Sequence, residues 1–258
     1  MVICVLFISI WLLGYSRAYA SEQATVKIHY LGHASFILPF DNGISVLTDY
    51  GISKSYGLAS PIYNFGDFQP EVVTYSHRHD DHFRPGMTFE KAQILTETDS
   101  LSIDGLEIVP IRTHELSVKQ ADNTSYLFRY KGLKILHLAD AQALIKNIEK
   151  EEIRTQVKAL YPGTYDLVLM TIEGRNKLIP QSEVFIDLLQ PARVIPMHYW
   201  SPEYKAKFLE HLTTQNEKKG RHYHIEEAEK ATYVLATSDT ATPITVISLN
   251  PENFSSQN

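Results

Sequence analysis

The first half of the chain is built from short runs rich in branched and aromatic residues, a pattern typical of β-strands. Residues 34–40 and 44–49 flank Asp41-Asn42-Gly43, which is a strong signal for a hairpin turn. The other strands predicted in this half cover residues 25–31, 71–76, 106–112, 125–130 and 133–138.

The second half mixes helical and strand patterns. Residues 142–160 place apolar residues at helical spacing, and Pro162-Gly163 ends this predicted helix. Further helices are predicted over residues 181–189 and 203–215, and strands over residues 166–172, 192–197, 232–237 and 244–249. Strands followed by mixed helices and strands indicate layered sheets with helices packed outside. No linker rich in Pro, Gly or Ser divides the chain, so we predict a single domain over residues 21–258.

Length and charge limit the classes of function. The chain has 258 residues, which is enough for one domain with a large buried core. Its formal net charge is −6. Binding to a nucleic-acid backbone relies on clustered Lys and Arg, so nucleic acid is not an expected partner.

The N-terminal segment differs from the rest of the chain. Residues 2–13 are almost all apolar, and the segment ends in Ala18-Tyr19-Ala20. This is typical of a secretory signal peptide, residues 1–20, although its start carries no Lys or Arg. The run is shorter than the ~20 residues of a membrane span, and an uncleaved N-terminal anchor is the alternative. We predict an exported protein, periplasmic or secreted, with no membrane span in its mature form.

Histidine and aspartate are concentrated in His77-Arg78-His79-Asp80-Asp81-His82, directly after a predicted strand. His77 and His79 are two residues apart, so in an extended segment both point to one side and can bind one metal ion. Asp81 and His82 follow after a turn and can face a second ion. Imidazole and carboxylate are the expected ligands of zinc and related metals. The density of this cluster favours a metal site over a polar loop with scattered histidines.

His114, Asp140 and His198 also stand at the ends of predicted strands. Such positions are rigid, yet their loops reach solvent, which suits a site that admits substrate. With the cluster they give seven candidate ligands, enough for two ions about 3.5–4 Å apart. His137 is a rival to His114, but it lies inside a predicted strand and is expected to pack there. The only cysteine, Cys4, lies in the N-terminal segment, so no thiolate ligand is expected.

The pattern His77-x-His79-x-Asp81-His82 resembles the signature of the metallo-β-lactamase superfamily. Residues 31–36 resemble the opening strand of one branch, the ascorbate-6-phosphate lactonase-like hydrolases, and residues 195–199 resemble its closing histidine motif. The resemblance runs from about residue 25 to residue 200. It implies an α+β fold, a four-layer αββα sandwich.

The resemblance assigns the seven candidate ligands to two metal ions. It implies that the first ion is bound by His77, His79 and His114, and the second by Asp81, His82 and His198. Asp140 would bridge the two ions. It follows Ala139 where relatives usually have Gly, which is a mild departure from the family pattern. The expected cofactors are two divalent ions, zinc by default, with manganese or iron as alternatives.

The resemblance also implies a reaction. Zinc lowers the pKa of bound water to about 7, so the expected activity is hydrolysis by a two-metal-activated hydroxide. Asp81 would be the catalytic residue that orients the hydroxide or accepts its proton. The expected substrate is an ester, lactone or phosphodiester of a small molecule or lipid. Two other functions stay open on the same fold: a di-iron oxidoreductase, and a metal-binding protein without catalysis.

Residues around the ligands are candidates for supporting roles. Metal-bound histidines usually donate their second N–H to a carboxylate or carbonyl. Asp49 ends a predicted strand beside the cluster and can accept such a bond, and His33 can contact the site. Local turn or core bonding is the alternative for both. Six residues are candidates for substrate contacts, with a surface role as the alternative for each: Arg78, Glu173, Arg175, Asn176, Tyr199 and Trp200.

Overall fold

The computed structural model of the protein describes residues 23–172, 178–219, 223–237 and 243–255. The predicted signal peptide therefore lies outside the described residues. The strands are β1 (Thr25–Gly32), β2 (Ser35–Pro39), β3 (Ser45–Thr48), β4 (Val72–Tyr75), β5 (Gln93–Thr96), β6 (Leu101–Ile103), β7 (Leu106–Thr113), β8 (Asn123–Tyr130), β9 (Leu133–His137), β10 (Leu167–Thr171), β11 (Arg193–Met197), β12 (Tyr223–Glu227), β13 (Thr232–Ala236) and β14 (Ile244–Ser248). The helices are α1 (Gln142–Lys146), α2 (Glu151–Leu160), α3 (Ile179–Leu189) and α4 (Pro202–Lys219), with a 3-10 turn at Ser55–Gly57.

The strands form two mixed sheets that pack against each other. The six-stranded sheet has the order β13-β1-β2-β3-β4-β5, and the eight-stranded sheet has the order β12-β14-β11-β10-β9-β8-β7-β6. Apolar side chains of both sheets belong to one buried cluster. Hydrogen bonds also link the two sheets: for example, the Tyr126 hydroxyl donates to the Tyr75 carbonyl at 3.3 Å, and His137 Nε2 donates to the Ala34 carbonyl at 2.9 Å. His137 is thus a packed strand histidine, as expected.

The two outer faces are covered differently. Helical residues such as Leu144, Phe185 and Phe208 join the main apolar cluster. On the other face of the six-stranded sheet, strand residues pack in a second cluster with residues of the loops, such as Tyr50, Phe65 and Phe89. In the described part of the chain, no helical residue belongs to this second cluster. Irregular chain between β3 and β5 therefore forms that outer layer. No described helix has the length and apolar character that crossing a membrane requires.

The structure divides the helix predicted over residues 142–160. It separates α1 from α2, because the Asn147 side chain donates to the Ala143 carbonyl at 2.9 Å and closes the first helix. Ile148 in the connection is fully buried, which explains why its apolar spacing continued the pattern. Strands β5, β6 and β12 were not predicted, since they are short and carry several exposed residues.

The candidate ligands come together because the strands that precede them run in the same direction. In the six-stranded sheet, β1, β3 and β4 point one way. In the eight-stranded sheet, β7, β9 and β11 also share a direction. The carboxyl ends of these strands meet at one edge of the sandwich. That edge is where the chain carries its histidines and carboxylates.

A buried hydroxyl fixes the pairing of β2 and β3 beside this edge. Thr48 Oγ1 donates to the Ala34 carbonyl at 2.9 Å and accepts the Phe36 N–H at 3.0 Å. Its register partner Thr74 in β4 is equally buried, but its hydroxyl has no hydrogen-bond partner among the described residues. The two threonines therefore provide a matched pair.

We expect Thr48→Val to lower the free energy of unfolding by about 1–3 kcal/mol, because it leaves a buried carbonyl and a buried N–H without a partner. Thr74→Val keeps the shape and removes no bond, so its effect should be close to neutral. Urea denaturation of both variants measures the difference. Equal losses in the two variants would contradict the assignment.

Candidate metal centre

Four residues at this edge adopt the left-handed region of backbone conformation. The φ angles are 54° for His33, 37° for Asp49, 54° for Ala139 and 57° for His198. A non-glycine residue there costs roughly 1–2 kcal/mol, and such strain concentrates at functional sites. The turns let the strand ends present their side chains to one another. The positive φ of Ala139 also gives the physical reason why relatives usually have Gly at that position.

The buried Asp49 carboxylate organises the histidines. Its Oδ1 accepts the Ser76 N–H at 2.7 Å, and its Oδ2 accepts the Ser76 hydroxyl at 2.7 Å and the His82 Nδ1–H at 2.9 Å. Burial raises the pKa of Asp49, and the bonds from Ser76 act against that rise. Because Nδ1 of His82 donates to the carboxylate, its Nε2 carries a lone pair. The structure therefore places Asp49 where it sets the tautomer of a candidate ligand.

His77, His79 and Glu115 form a first group whose ligand atoms lie within 4.8 Å of one another. Glu115 Oε1 is 2.9 Å from His79 Nδ1, and Oε2 is 3.3 Å from His77 Nε2. Ser76 donates its proton to Asp49, so its oxygen accepts the His77 Nδ1–H at 2.9 Å. His77 Nε2 then turns a lone pair toward a carboxylate, an arrangement that a bound cation would stabilise.

The structure does not bring His114 together with the other two residues predicted for the first ion. Its Nδ1 lies 2.7 Å from the Gln120 carbonyl and its Nε2 2.8 Å from the Gln156 side-chain nitrogen, so both ring nitrogens are already engaged. His114 does not join the group with His77 and His79. The chain bends directly after β7 because Asp122 accepts the Glu115 N–H at 2.7 Å. The bend brings the Glu115 carboxylate, instead of the neighbouring imidazole, to the first group.

His33, Asp81, His82 and His198 form a second group. His33 Nε2 donates to Asp81 Oδ2 at 3.0 Å, and the Nε2 atoms of His82 and His198 are 3.0 Å apart. Burial acts to raise the pKa of Asp81, but the bond from His33 and the nearby imidazoles outweigh it and hold that pKa well below its usual range. The three ligands predicted for the second ion thus lie together, with His33 against them.

Asp140 lies between the two groups. One of its carboxylate oxygens lies within 4.8 Å of ligand nitrogens of both His77 and His82. Its Oδ2 is 3.5 Å from His198 Nε2 and accepts a hydrogen bond from Gln142 at 3.1 Å. The side chain therefore lies close to members of both groups, in the position expected of a bridging carboxylate.

The electrostatics of this cluster suit a divalent cation. Burial, followed by the charges of Asp140 and Asp122, raises the pKa of Glu115 to about 8. Burial lowers the pKa of His77 to about 4, so its imidazole is neutral at pH 7. Asp81 Oδ1 is buried and has no hydrogen-bond partner among the described residues. Neutral imidazoles and crowded carboxylates are the donor set of zinc, manganese and iron, so the residues present fit such an ion.

A cavity of about 230 Å³ opens onto both groups. Beside candidate ligands it is lined by Tyr56, Gln142 and Trp200. Tyr56 is 57% exposed, and its ring centroid is 6.1 Å from that of His79. Because Trp200 lines the cavity, it can contact a substrate there. Tyr199 cannot, because it is buried in the apolar core. The candidates at positions 173, 175 and 176 lie outside the described residues.

Gly51 packs directly against the backbone of the histidine cluster. A Cβ atom at this position would lie 2.1 Å from the Asp81 carbonyl carbon and oxygen and 2.6 Å from the His82 nitrogen. The next residue, Ile52, donates its N–H to the Asp80 carbonyl at 2.5 Å. Only glycine allows the chain leaving β3 to approach the ligand segment this closely.

Comparison with known sequences identifies the family. A model of the family described as "Beta-lactamase superfamily domain" matches residues 27–198. This chain belongs to that family. The resemblance to the metallo-β-lactamase superfamily is therefore confirmed, and the narrower lactonase-like branch stays a prediction. A UPF0173 metal-dependent hydrolase from Thermococcus onnurineus is 24% identical over 207 residues, which cover 69% of this chain and 87% of that protein.

Solved structures show the same fold. A protein of the metallo-beta-lactamase superfamily from Thermotoga maritima has a TM-score of 0.55 and 21% identity, over 87% of this chain and all of its own. CmlA, a diiron beta-hydroxylase from Streptomyces venezuelae, also has a TM-score of 0.55, with 16% identity over 83% of this chain and 54% of its own. At these identities the likeness concerns the fold alone, and it confirms the predicted α+β sandwich.

We expect Glu115→Gln to lower the amount of metal bound per chain, because it removes the carboxylate that faces His77 and His79. His114→Gln should leave the metal content unchanged, since neither ring nitrogen reaches the group. Elemental analysis of both variants, purified without chelator, measures this. The opposite result would restore His114 as the ligand and remove Glu115 from the site.

Gly51→Ala should destabilise the fold by about 1–3 kcal/mol or more, because the added methyl overlaps backbone atoms. It should also lower the metal content by displacing Asp81 and His82. In the control Gly43→Ala an added Cβ meets nothing within 4 Å, but the φ of 88° is strained for alanine, so this variant should lose stability without losing metal. A normal metal content in Gly51→Ala protein would show that the cluster does not depend on this contact.

Proposed function

We propose that this chain is an exported metal-dependent hydrolase that binds two divalent ions, zinc by default. The observation that carries this proposal is the pair of ligand groups that meet at Asp140. Each group contains only some of the candidate ligands, and the Asp140 carboxylate lies within 4.8 Å of a ligand atom in each group. The name of the Thermococcus relative, a metal-dependent hydrolase, supports the same reading.

Each ion would be held by one group. The first would use His77, His79 and Glu115, and the second Asp81, His82 and His198, with Asp140 shared. A divalent ion in such a site lowers the pKa of coordinated water and stabilises negative charge on a substrate oxygen. Asp49, Ser76 and His33 act behind these ligands, because they hydrogen bond to His82, His77 and Asp81 and hold their orientation.

Asp81 has the role of orienting the attacking water. It lines the cavity, and its bond from His33 keeps it ionised. A carboxylate with so low a pKa is a weak base at neutral pH, because efficient proton acceptors have a pKa near the working pH. Positioning water is therefore favoured over accepting its proton.

The cavity favours a small organic substrate. Its size of about 230 Å³ suits the reacting end of a small molecule or lipid. Tyr56 and Trp200 offer apolar surface, and Gln142 can donate to an oxygen of the substrate. An ester, lactone or phosphodiester combines such an apolar part with an electrophilic centre. The apolar segment at residues 1–20 supports export to the periplasm or outside the cell.

A di-iron oxidoreductase is the second candidate, and one observation favours it. His77, His79 and Glu115 make a set of two histidines and one carboxylate, which is typical of non-haem iron sites. CmlA, which shares the fold, is a diiron beta-hydroxylase. Iron bound in preference to zinc, with oxygen uptake, would favour this function over hydrolysis.

Metal content and turnover should be measured together on the full chain. We expect bound divalent metal and hydrolysis of p-nitrophenyl esters or bis(p-nitrophenyl) phosphate, both reduced strongly in Asp140→Ala. The control Asp67→Ala removes an exposed aspartate and should change neither. Metal without turnover would indicate a binding protein. Absence of metal after reloading would reject the metal centre.

A further inference from the structure

A second cavity, of about 520 Å³, is lined in part by His77 and its neighbours Ser76 and Arg78. The two cavities share no lining residue in the part of the chain that the structure describes. His77 lines the second cavity, while its neighbour Glu115 lines the first. Its size is in the range of roughly 300–1,000 Å³ typical of small-molecule sites. A ligand here would therefore occupy space separate from the proposed reaction centre.

Part of the lining of this cavity is apolar. Phe83, Met87 and Ile94 line it, and Ile94 is 46% exposed although it is a large aliphatic residue. Phe83 also packs edge-on against Tyr75, with ring centroids 4.9 Å apart. An apolar surface that is open to solvent can mark a binding site. This surface would accept an alkyl or aryl group.

Two arginines, Arg78 and Arg112, also line the cavity. The Arg78 guanidinium lies over the Phe83 ring at 5.9 Å from the centroid. Arg112 donates one bond to Thr124 at 2.8 Å and another to the Ala121 carbonyl. Neither arginine has an ion pair with a carboxylate among the described residues. Since a guanidinium carries five donors, both keep several for a ligand.

Two carboxylates, Glu97 and Asp122, also line the cavity. They differ in their hydrogen bonds and in their exposure to solvent. Asp122 is engaged with the loop, because its oxygens accept the N–H groups of Glu115 and Leu116 at 2.7 and 3.3 Å. Glu97 is exposed. Its charge weakens the attraction for an anion without pairing with either arginine. The lining thus carries two arginines and two carboxylates. An anion would be held by the directed N–H donors of the arginines and not by an excess of positive charge.

We propose that this cavity binds a small amphiphilic anion. Its carboxylate or phosphate would be held by Arg78 and Arg112, and its apolar part by Phe83, Met87 and Ile94. Arginine recognises both kinds of oxyanion through paired N–H donors. This site needs no metal, so it does not depend on the proposed hydrolase activity.

Octanoate is the probe, titrated calorimetrically into the metal-free full chain. We expect saturable binding that weakens roughly tenfold in Arg78→Gln, which loses a charge-assisted contact. Arg129→Gln removes an exposed arginine that pairs with Glu107 at 3.0 Å, and it should bind as the wild type does. Glu97→Gln should strengthen binding, because it removes the nearby negative charge. 1-Octanol, which lacks the carboxylate, should bind more weakly than octanoate.

Three results would overturn the proposal. One is the absence of saturable octanoate binding in chain that is folded by circular dichroism. Another is equal affinity in Arg78→Gln, Arg129→Gln and wild-type protein. The third is binding that requires added zinc and is lost in Asp140→Ala, which would place the carboxylate at the metal centre. Because the titration uses metal-free protein, failure here leaves the metal and turnover measurements unaffected.

Discussion

The arrangement of the candidate metal centre depends on the hydrogen bonds that the buried Asp49 carboxylate accepts. A buried carboxylate without partners is unfavourable, so the fold must supply donors to it. Ser76 supplies two, and His82 supplies the third. This single requirement fixes the end of β3 against the end of β4. It also sets the tautomers of two histidines, since the Ser76 hydroxyl, once committed to Asp49, can only accept from His77. The ligand nitrogens are thereby directed before any ion arrives.

The arrangement has an energetic cost that an ion would offset. Three carboxylates, Glu115, Asp81 and Asp140, face the same small cavity. Burial, followed by the charges of Asp140 and Asp122, raises the pKa of Glu115 to about 8, so without a bound metal its side chain is mostly protonated at pH 7. Left-handed backbone at His33 and His198 adds strain. A ligand that binds only the folded state stabilises it. Binding of a metal ion at this site would therefore stabilise the fold.

Much of this could be predicted from the sequence, for identifiable reasons. The cluster His77 to His82 was readable because four ligands share one short segment and its strand is regular. The positions of Asp140 and His198 near this cluster could be predicted because each lies within three residues of the end of a strand. The proximity of Glu115 to His77 and His79 was not predicted, since it depends on a bend that Asp122 makes by hydrogen bonding across seven residues. Spacing along the chain carries no information about such a bend.

Spacing along the chain also could not predict where one helix ends or what forms the outer layer. The break between α1 and α2 depends on one side chain, Asn147, within an unbroken apolar pattern. The outer layer over the six-stranded sheet is irregular chain, whose aromatic residues pack without a repeating spacing. Gly51 looks like any loop glycine in the sequence. Its importance comes from a contact with Asp81, thirty positions away.

The loop between β3 and β4 is anchored through its backbone. Its N–H groups at Ala59 and Ser60 donate to the Trp200 carbonyl at 2.9 and 3.1 Å, and Tyr63 donates to the Leu31 carbonyl at 2.8 Å. These bonds are made by atoms that every residue except proline has. Side chains on the loop, such as Tyr56, can therefore change during evolution while the loop keeps its course. The cavity can acquire a new shape, and the chain a new substrate, without any movement of the metal ligands.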